Sequence, residues 1–457
     1  MEARYEVRKK ELLDECKVAP EIFAELNSRL DAFMEPFLDS FCRREQNDHT
    51  RTFLRGLLSD LDHKNVESIA YRFGQDRLPL QRFIGWAEWD DAPLRGELVR
   101  QVSQQQGAAD SVIVFDPSAF PKSGTDSVGV ARQWCGRLGK VDNCQVAVYM
   151  GYVSRTEHAL VDTRLYLPKE WTRDKARCAK AGVPQDRRRH RTRHQLCLEM
   201  LDENGLLLSH SWVAGDDELG RVYWFRRRLH TRNERYMLAI PSNLLIRDLD
   251  SELPPYSGRG PHPKRPWQRV DRWAGKQDDW TAIDVRDGSK GPLVVEIVKR
   301  RVVARTPQRQ EGHPEVLVVI RYLDRDRNVV KVDYYLSNGA VETPLAEFAR
   351  VAKAEHRIEE CLERAKSEAG LADYEVRNWI GWHHHQTLSM LASWFLVTET
   401  RRGKKMDSID HAATDTGRHR VDPAHRLPVW HQRPDLAGTP KAFTTQRTRT
   451  LLSLETT

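Results

Sequence analysis

The sequence predicts an α/β protein with a mixed-sheet core, a helical N-terminal domain and a β-rich insertion. Three observations carry that expectation. Apolar residues recur at three- and four-residue spacing over the first hundred residues. Two apolar, β-branched runs then each end in an acidic residue. A cluster of strand-like runs follows a proline- and glycine-rich loop and precedes two long helical patterns.

Each element follows from local pattern. Ile22, Phe23, Leu26, Leu30, Phe33, Phe37 and Phe41 form one apolar helix face, with Pro20 where a first-turn proline is tolerated. Further helices are expected over 50–61, 64–73 and 79–87, and Asp90-Asp91 can cap another beginning near Pro93. Ser111–Phe115 is a run typical of a strand buried on both faces, and it ends in Asp116-Pro117. Strands are expected near 145–153 and 157–167, a helix over 192–201, and a strand over 206–214 that runs into Gly215-Asp216-Asp217. Pro254, Pro255, Gly258, Gly260, Pro261, Pro263 and Pro266 exclude helix. Runs at 293–303, 315–323 and 329–336 read as strands, a helix starts near Pro344 and stops near Gly370, and another runs from about Asp373 to Val397. The domains expected are a helical DNA-binding domain (1–105), a first core segment (106–220), a β-rich insertion (221–343), C-terminal core helices (344–399) and a basic, loosely ordered tail (400–457).

At 457 residues the chain exceeds what one compact core holds. No run of 18 apolar residues exists, which predicts no membrane span, and the opening Met1-Glu2-Ala3-Arg4 predicts no signal peptide. The seven cysteines include no C-x-x-C pair, which speaks against a disulfide framework or a structural zinc site and for a reducing cytoplasm. The net charge is +7, and the stretch from Arg173 to His194, with nine Lys/Arg and two Asp, alone carries +7. Clustered positive charge of this kind favours a phosphate backbone through counterion release, although a solvated loop has the same composition. Within it, Arg187, Arg188 and Arg189 are candidate DNA contacts.

Two acids, Asp116 and Asp216, end two strands, and a third candidate lies on the helix after the β-rich block. Carboxylates at the ends of neighbouring strands converge on one sheet edge, and a glutamate from a helix packed on that sheet can complete the group. Hard oxygen ligands of this kind suit Mg²⁺ or Mn²⁺. Each acid also has a plain structural reading: Asp116 could start a turn, Asp216 could cap a helix and competes with Asp217, and Glu355, Glu359, Glu360 and Glu363 could all be solvated face. Spacing alone does not choose among the four glutamates. His383-His384-His385 occupies successive helix positions that point in different directions, so core packing or DNA contact is expected rather than chelation.

The stretch from Phe115-Asp116-Pro117 through Pro121-Lys122, Ala131-Arg132-Gln133-Trp134-Cys135-Gly136 and Asp142-Asn143-Cys144 resembles the first catalytic block of bacterial insertion-sequence transposases of the DDE superfamily. Gly215-Asp216-Asp217-Glu218-Leu219-Gly220 resembles the second block, whose aspartate lies four residues before a glycine, and this offset selects Asp216. Glu359 and Lys366 match the glutamate and lysine of the tyrosine-arginine-glutamate-lysine signature, and Gly370–Trp379 resembles its continuation. Ala352 and Glu355 stand where the signature's tyrosine and arginine would fall.

The resemblance covers about residues 75–398 and implies an RNase H-like fold. It implies Asp116, Asp216 and Glu359 as catalytic residues holding two Mg²⁺ or Mn²⁺ ions, with Asp116 bridging both. Lys122, Arg132 and Lys366 become candidate DNA contacts. The function implied is DNA transposition, by cleavage at terminal inverted repeats of double-stranded DNA and strand transfer into target DNA, by a homodimer in the bacterial cytoplasm at the nucleoid. The alternatives are an RNase H-like nuclease without strand transfer and a repurposed, inactive DNA-binding protein.

Overall fold

The computed structural model describes residues 25–414 except 289, 290 and 325. Pro20, Ile22, Phe23 and the tail from 415 onward lie outside the described residues. The N-terminal helices are α1 (Leu26–Leu38), α2 (Arg44–Leu57), α3 (Val66–Arg72), α4 (Arg77–Gly85) and α5 (Ala92–Gln106). Leu26, Leu30, Met34 and Phe37 make the buried stripe of α1. Caps fix the short helices: the Asn65 side chain accepts the Ser68 amide, and that of Asp76 accepts the Leu78 amide. At the expected Asp90-Asp91 cap, Asp90 accepts the Ala92 amide, and α5 carries its proline in the first turn.

The core sheet is built on β1 (Val112–Pro121), whose first four residues are fully buried. It continues with β2 (Ala131–Cys135), β3 (Lys140–Val153) and β4 (His158–Leu165). Helices α6 (Lys169–Arg173), α7 (Lys175–Lys180) and α8 (Arg193–Asn204) lead to β5 (Trp212–Gly215), α9 (Asp217–Gly220), α10 (Tyr223–Thr231) and β6 (Tyr236–Ala239). β3 lies antiparallel to β1 and β4 antiparallel to β3, while β5 is parallel to β1 and β6 parallel to β5. The order β4-β3-β1-β5-β6 is the RNase H-like arrangement. The strand expected over 206–214 is shorter than its apolar content suggests. After α8 the chain turns, leaving Leu206 98% exposed, and extended pairing begins only at Trp212.

The β-rich segment extends the same sheet. It comprises β7 (Leu245–Asp248), β8 (Gln268–Arg269), α11 (Val270–Ala274), β9 (Thr281–Gly288), β10 (Gly291–Arg305), β11 (Glu311–Leu323) and β12 (Val329–Ser337). β12 pairs antiparallel with β6, so the described strands form one twelve-stranded sheet. A buried ion pair, Arg226 to Glu315 at 2.8 Å, ties α10 to β11, and the Tyr236 hydroxyl donates to the same carboxylate at 2.6 Å.

Two long helices close the fold: α12 (Leu345–Glu368) and α13 (Trp379–Thr414). The helix α13 continues through 400–414, a segment expected to be loosely ordered. Its buried start includes His383, His384 and His385, each bonded to a main-chain carbonyl, as core packing requires. No helix among the described residues is long and apolar enough to cross a membrane, and the six described cysteines form no disulfide among themselves.

Three contacts fix α12 on the sheet. Glu347 accepts from the Trp212 indole at 2.8 Å, Lys366 donates to Ser118 at 2.7 Å, and Ile358 rests on bare backbone at Gly151, where a Cβ would come within 1.9 Å of its Cδ1. Gly151→Ala is therefore expected to destabilise the fold by about 1–3 kcal/mol, as overpacking does. Adding Ile358→Val, which removes that Cδ1, should recover part of the loss in denaturant unfolding.

Candidate active site

The register of the parallel strands places the two aspartates. Phe115 pairs with Gly215 as the last β1–β5 partners, and Asp116 and Asp216 are each the next residue. They therefore leave neighbouring strands at the same level, about 5 Å apart in backbone spacing. Ser118 follows Asp116 by two residues and shares its face. Because Lys366 bonds Ser118, and Ile358 packs on Gly151, the partner of Val114, α12 crosses the face on which Asp116 stands.

Asp216 performs both roles that the sequence allows. Its Oδ1 accepts the Leu219 amide at 3.0 Å and caps α9, which leaves the second oxygen for the site. Its acidic neighbours are spent elsewhere: Asp217 pairs with Arg221 at 2.7 Å, and Glu218 with Arg193 at 2.5 Å. Glu359 sits one residue beyond Ile358. Its side chain is 65% exposed and lies 3.4 Å from the His356 ring.

The acids repel one another through protein. Burial, then the charges of Asp216 and Glu359, push the Asp116 carboxyl up to about 8, against the nearby Lys366 ammonium. Burial also raises Asp216 to about 7, despite the amide bond at its cap. Burial is likewise the first cause of a large upward shift at Glu355, followed by the charges of Asp216, Glu359, Asp333 and Asp116. Asp116 and Glu355 are partly accessible by area, yet both carboxyls lie in a crevice with protein on most sides.

Glu355 is thus a member of the acid group that sequence reasoning set aside as a departure from a signature. The available signal was its place one turn before Glu359 on one helix face. Neither the Glu355 nor the Asp116 side chain makes a hydrogen bond or ion pair among the described residues.

The donor set is all carboxylate and suits a hard divalent cation, whose charge would relieve the repulsion. In their present positions no three such side chains among the described residues are gathered closely enough to hold a metal. Glu359, turned toward His356, would have to rotate inward.

The expected DNA contacts fare unequally. Lys366 faces Ser118 and Asp116, and burial lowers its ammonium pKa. Lys122 turns inward, 3.6 Å from the Tyr374 ring centroid, and burial lowers its amine to about 8. Arg132 is exposed on β2. Arg187 pairs with Glu199 at 3.2 Å, as does Arg191 at 2.8 Å, while Arg188 donates to the Val183 carbonyl at 2.8 Å. Arg189 is exposed with no partner among the described residues. The basic stretch is therefore less positive in space than in sequence. It borders a cavity of about 510 Å³ that none of the four clustered acids lines.

These pKa shifts predict a pH dependence. The unfolded carboxyls ionise near pH 4, whereas Asp216 and Asp116 in the folded chain hold their protons until about 7 and 8. Their contribution to metal-free stability is thus full below about pH 4 and lost as pH rises to about 8. Thermal melts should show Asp116→Asn flattening this slope, and millimolar Mn²⁺ raising the melting temperature more at pH 8 than at pH 5.

A family model described as "DDE superfamily endonuclease" matches residues 36–292, which include Asp116 and Asp216 and end before α12. A probable transposase for insertion sequence element IS701 from Microchaete diplosiphon is 33% identical over 94 residues, which are 20% of this chain and 25% of that protein. The chain therefore spans about a quarter of that relative's length. The cryo-EM structure of the piggyBac transposase synaptic complex with hairpin DNA aligns at a TM-score of 0.38 and 9% identity, over 79% of this chain and 68% of that one.

Proposed function

The chain belongs to the DDE superfamily endonucleases, and on that premise we propose that it is a DNA transposase that cuts at the ends of its element and joins them to target DNA. One observation supports this reading above the others. Asp116 and Asp216 leave adjacent strands at one level, under a helix that carries Glu359 and Lys366 on the same face.

Asp116 would be the central ligand, flanked by Asp216 just after β5 and by α12. Asp216 would offer the oxygen not used in its cap, and Glu359, rotated inward from His356, would close the site from the helix. Divalent metal ions, when bound, supply Lewis acidity and charge neutralisation for in-line displacement at phosphorus. The ammonium of Lys366, two residues along β1 from Asp116 through its bond to Ser118, holds a non-bridging phosphate oxygen in register with the acids. Hydrolysis of the first phosphodiester releases a 3′-hydroxyl. That hydroxyl attacks a target phosphodiester in the second step, so one bond forms as another breaks. Arg132 and Arg189, both exposed, extend the phosphate-contacting surface. The chain works as a homodimer on paired inverted repeats.

Asp116→Asn, Asp216→Asn and Glu359→Gln should each lower Mg²⁺-dependent cleavage of element-end DNA by at least about 100-fold, with DNA binding retained in gel-shift assays. Asp217→Asn, which removes only a surface pair, should change cleavage far less. Joining of a cut end to plasmid is the decisive readout. Cutting without joined product would leave a nuclease, and binding without either would leave a DNA-binding protein.

A further inference from the structure

The β-rich segment carries a basic loop, none of whose residues belongs to the acid group. Residues 249–267 run between β7 and β8 without helix or strand. Both feet of the loop are fixed. The Leu249 amide donates to the Arg301 carbonyl at 2.8 Å, and Asp248, at the end of β7, accepts the Trp273 indole at 2.9 Å. At the other foot the Arg247 guanidinium lies 4.2 Å from the Trp267 ring centroid.

Between its feet the loop is exposed and yet built. Residues 252–262 are all exposed. The Tyr256 and His262 rings stack at 4.6 Å and close a small turn between them. Within that turn the Tyr256 hydroxyl donates to the Gly260 carbonyl at 3.1 Å, and the Ser257 hydroxyl to the Arg259 carbonyl at 3.2 Å. Gly258 and Gly260 have φ of +79° and +83°, a left-handed backbone that glycine adopts without strain. Arg259 thus stands at the centre of the turn between two residues without side chains. Pro254, Pro255, Pro261, Pro263 and Pro266 restrict the chain on either side, so little order is left to impose on binding.

The charge of the loop is one-sided. From Leu253 to Val270 the chain has Arg259, Lys264, Arg265 and Arg269 and no acid. Arg269 pairs with Asp271 at 2.5 Å, and Arg265 donates to the Ser251 carbonyl at 2.7 Å. Arg259 and Lys264 are exposed, and their side chains have no partner among the described residues.

We propose that this loop is a DNA arm, in which Arg259 enters the minor groove of A·T-rich duplex and Lys264 contacts a neighbouring phosphate. The minor groove is only about 6 Å wide. An arginine flanked by two glycines presents an edge thin enough to enter it. A·T tracts narrow the groove further and strengthen its negative potential, which attracts an inserted arginine. Their groove floor also lacks the guanine amino group that would stand in the way. The same turn speaks against a protein partner, because its centre offers no apolar anchor and the Tyr256 ring is already stacked on His262. Duplex RNA, whose minor groove is wide and shallow, fits no better. The proposal rests on the DNA-acting reading for its partner and adds the groove, the base preference and the residue.

The test measures binding of the full chain, by fluorescence anisotropy in EDTA, to three short duplexes. One has an A·T tract at its centre, one has G·C pairs there, and one has inosine·C pairs. Inosine lacks the minor-groove amino group of guanine and keeps its major-groove edge. The wild-type chain should bind the A·T and inosine duplexes at least about 5-fold more tightly than the G·C duplex. Arg259→Ala should abolish that difference. Lys264→Ala should weaken all three alike and lower the slope of log K against log salt by about 1. Both positions are exposed, so melting temperatures should stay at the wild-type value.

An inosine duplex bound like the G·C duplex would overturn the proposal, since any preference would then lie in the major groove. So would a preference that survives Arg259→Ala, which would leave a phosphate contact at most, or no preference in the wild-type chain. A change of oligomeric state in Arg259→Ala with DNA binding intact would make the loop a protein contact and overturn it too. Failure of the transposase reading looks different. A chain that prefers A·T duplex through Arg259 yet neither nicks nor joins plasmid in Mn²⁺ keeps the arm and loses the enzyme.

Discussion

The seat of α12 on the sheet is the constraint from which the rest of the site follows. One helix of 24 residues is pinned at its start by Glu347 on Trp212, near its middle by Ile358 on Gly151, and near its end by Lys366 on Ser118. The middle contact sets the height of the helix, because the absence of a side chain at Gly151 lets α12 sink onto β3. Lowered to this extent, the helix brings Glu355 and Glu359 within electrostatic reach of two aspartates fixed by strand register. A bulkier residue at 151 would lift the whole row of charges.

The acids so gathered are a cost to the apo fold. Asp116 and Glu355 are largely enclosed by protein without a counter-charge in direct contact, and Lys366, the nearest cation by electrostatic influence on Asp116, is itself bonded to Ser118. Unpaired carboxyls held together by sheet register and helix packing keep their protons to higher pH, and ionising them costs folding stability. Glu355 deepens the repulsion among them from one helical turn before Glu359.

Much of this was legible in the sequence because it rests on local pattern. The buried run into Asp116 is such a pattern, while the offset of Asp216 from Gly220 and the seven residues from Glu359 to Lys366 select those acids through the resemblance. What was not legible depends on distant partners. Lys122 reads as a surface cation until Tyr374, 252 residues away, takes it inward. The Arg187–Arg191 run loses charge to Glu199, which arrives on α8. β6 is too short, at four residues, to announce itself within a stretch expected to be insertion, and its role as the bridge to β12 is set by pairing. Leu206–Leu208 has the composition of a strand, but it follows a helix end at Gly205 and turns instead. Glu355 could not be told from Glu360 or Glu363 without knowing which helix face meets the sheet.

The helix α13 joins the N-terminal helices to the acid group. His384 bonds the carbonyls of Ile84 and Trp89 at the back of α4, and Thr387 bonds Asp91 at the head of α5. One residue after His384, His385 meets the Gly370 carbonyl at the end of α12. Gln386 receives the hydroxyl of Tyr149, the strand partner of Asp116. About one turn of one buried helix therefore fastens the N-terminal helices, the end of α12 and the strand beside Asp116. Packed helices of this kind transmit position with little slack. The N-terminal helices and the acid group are therefore held at a fixed separation through α13.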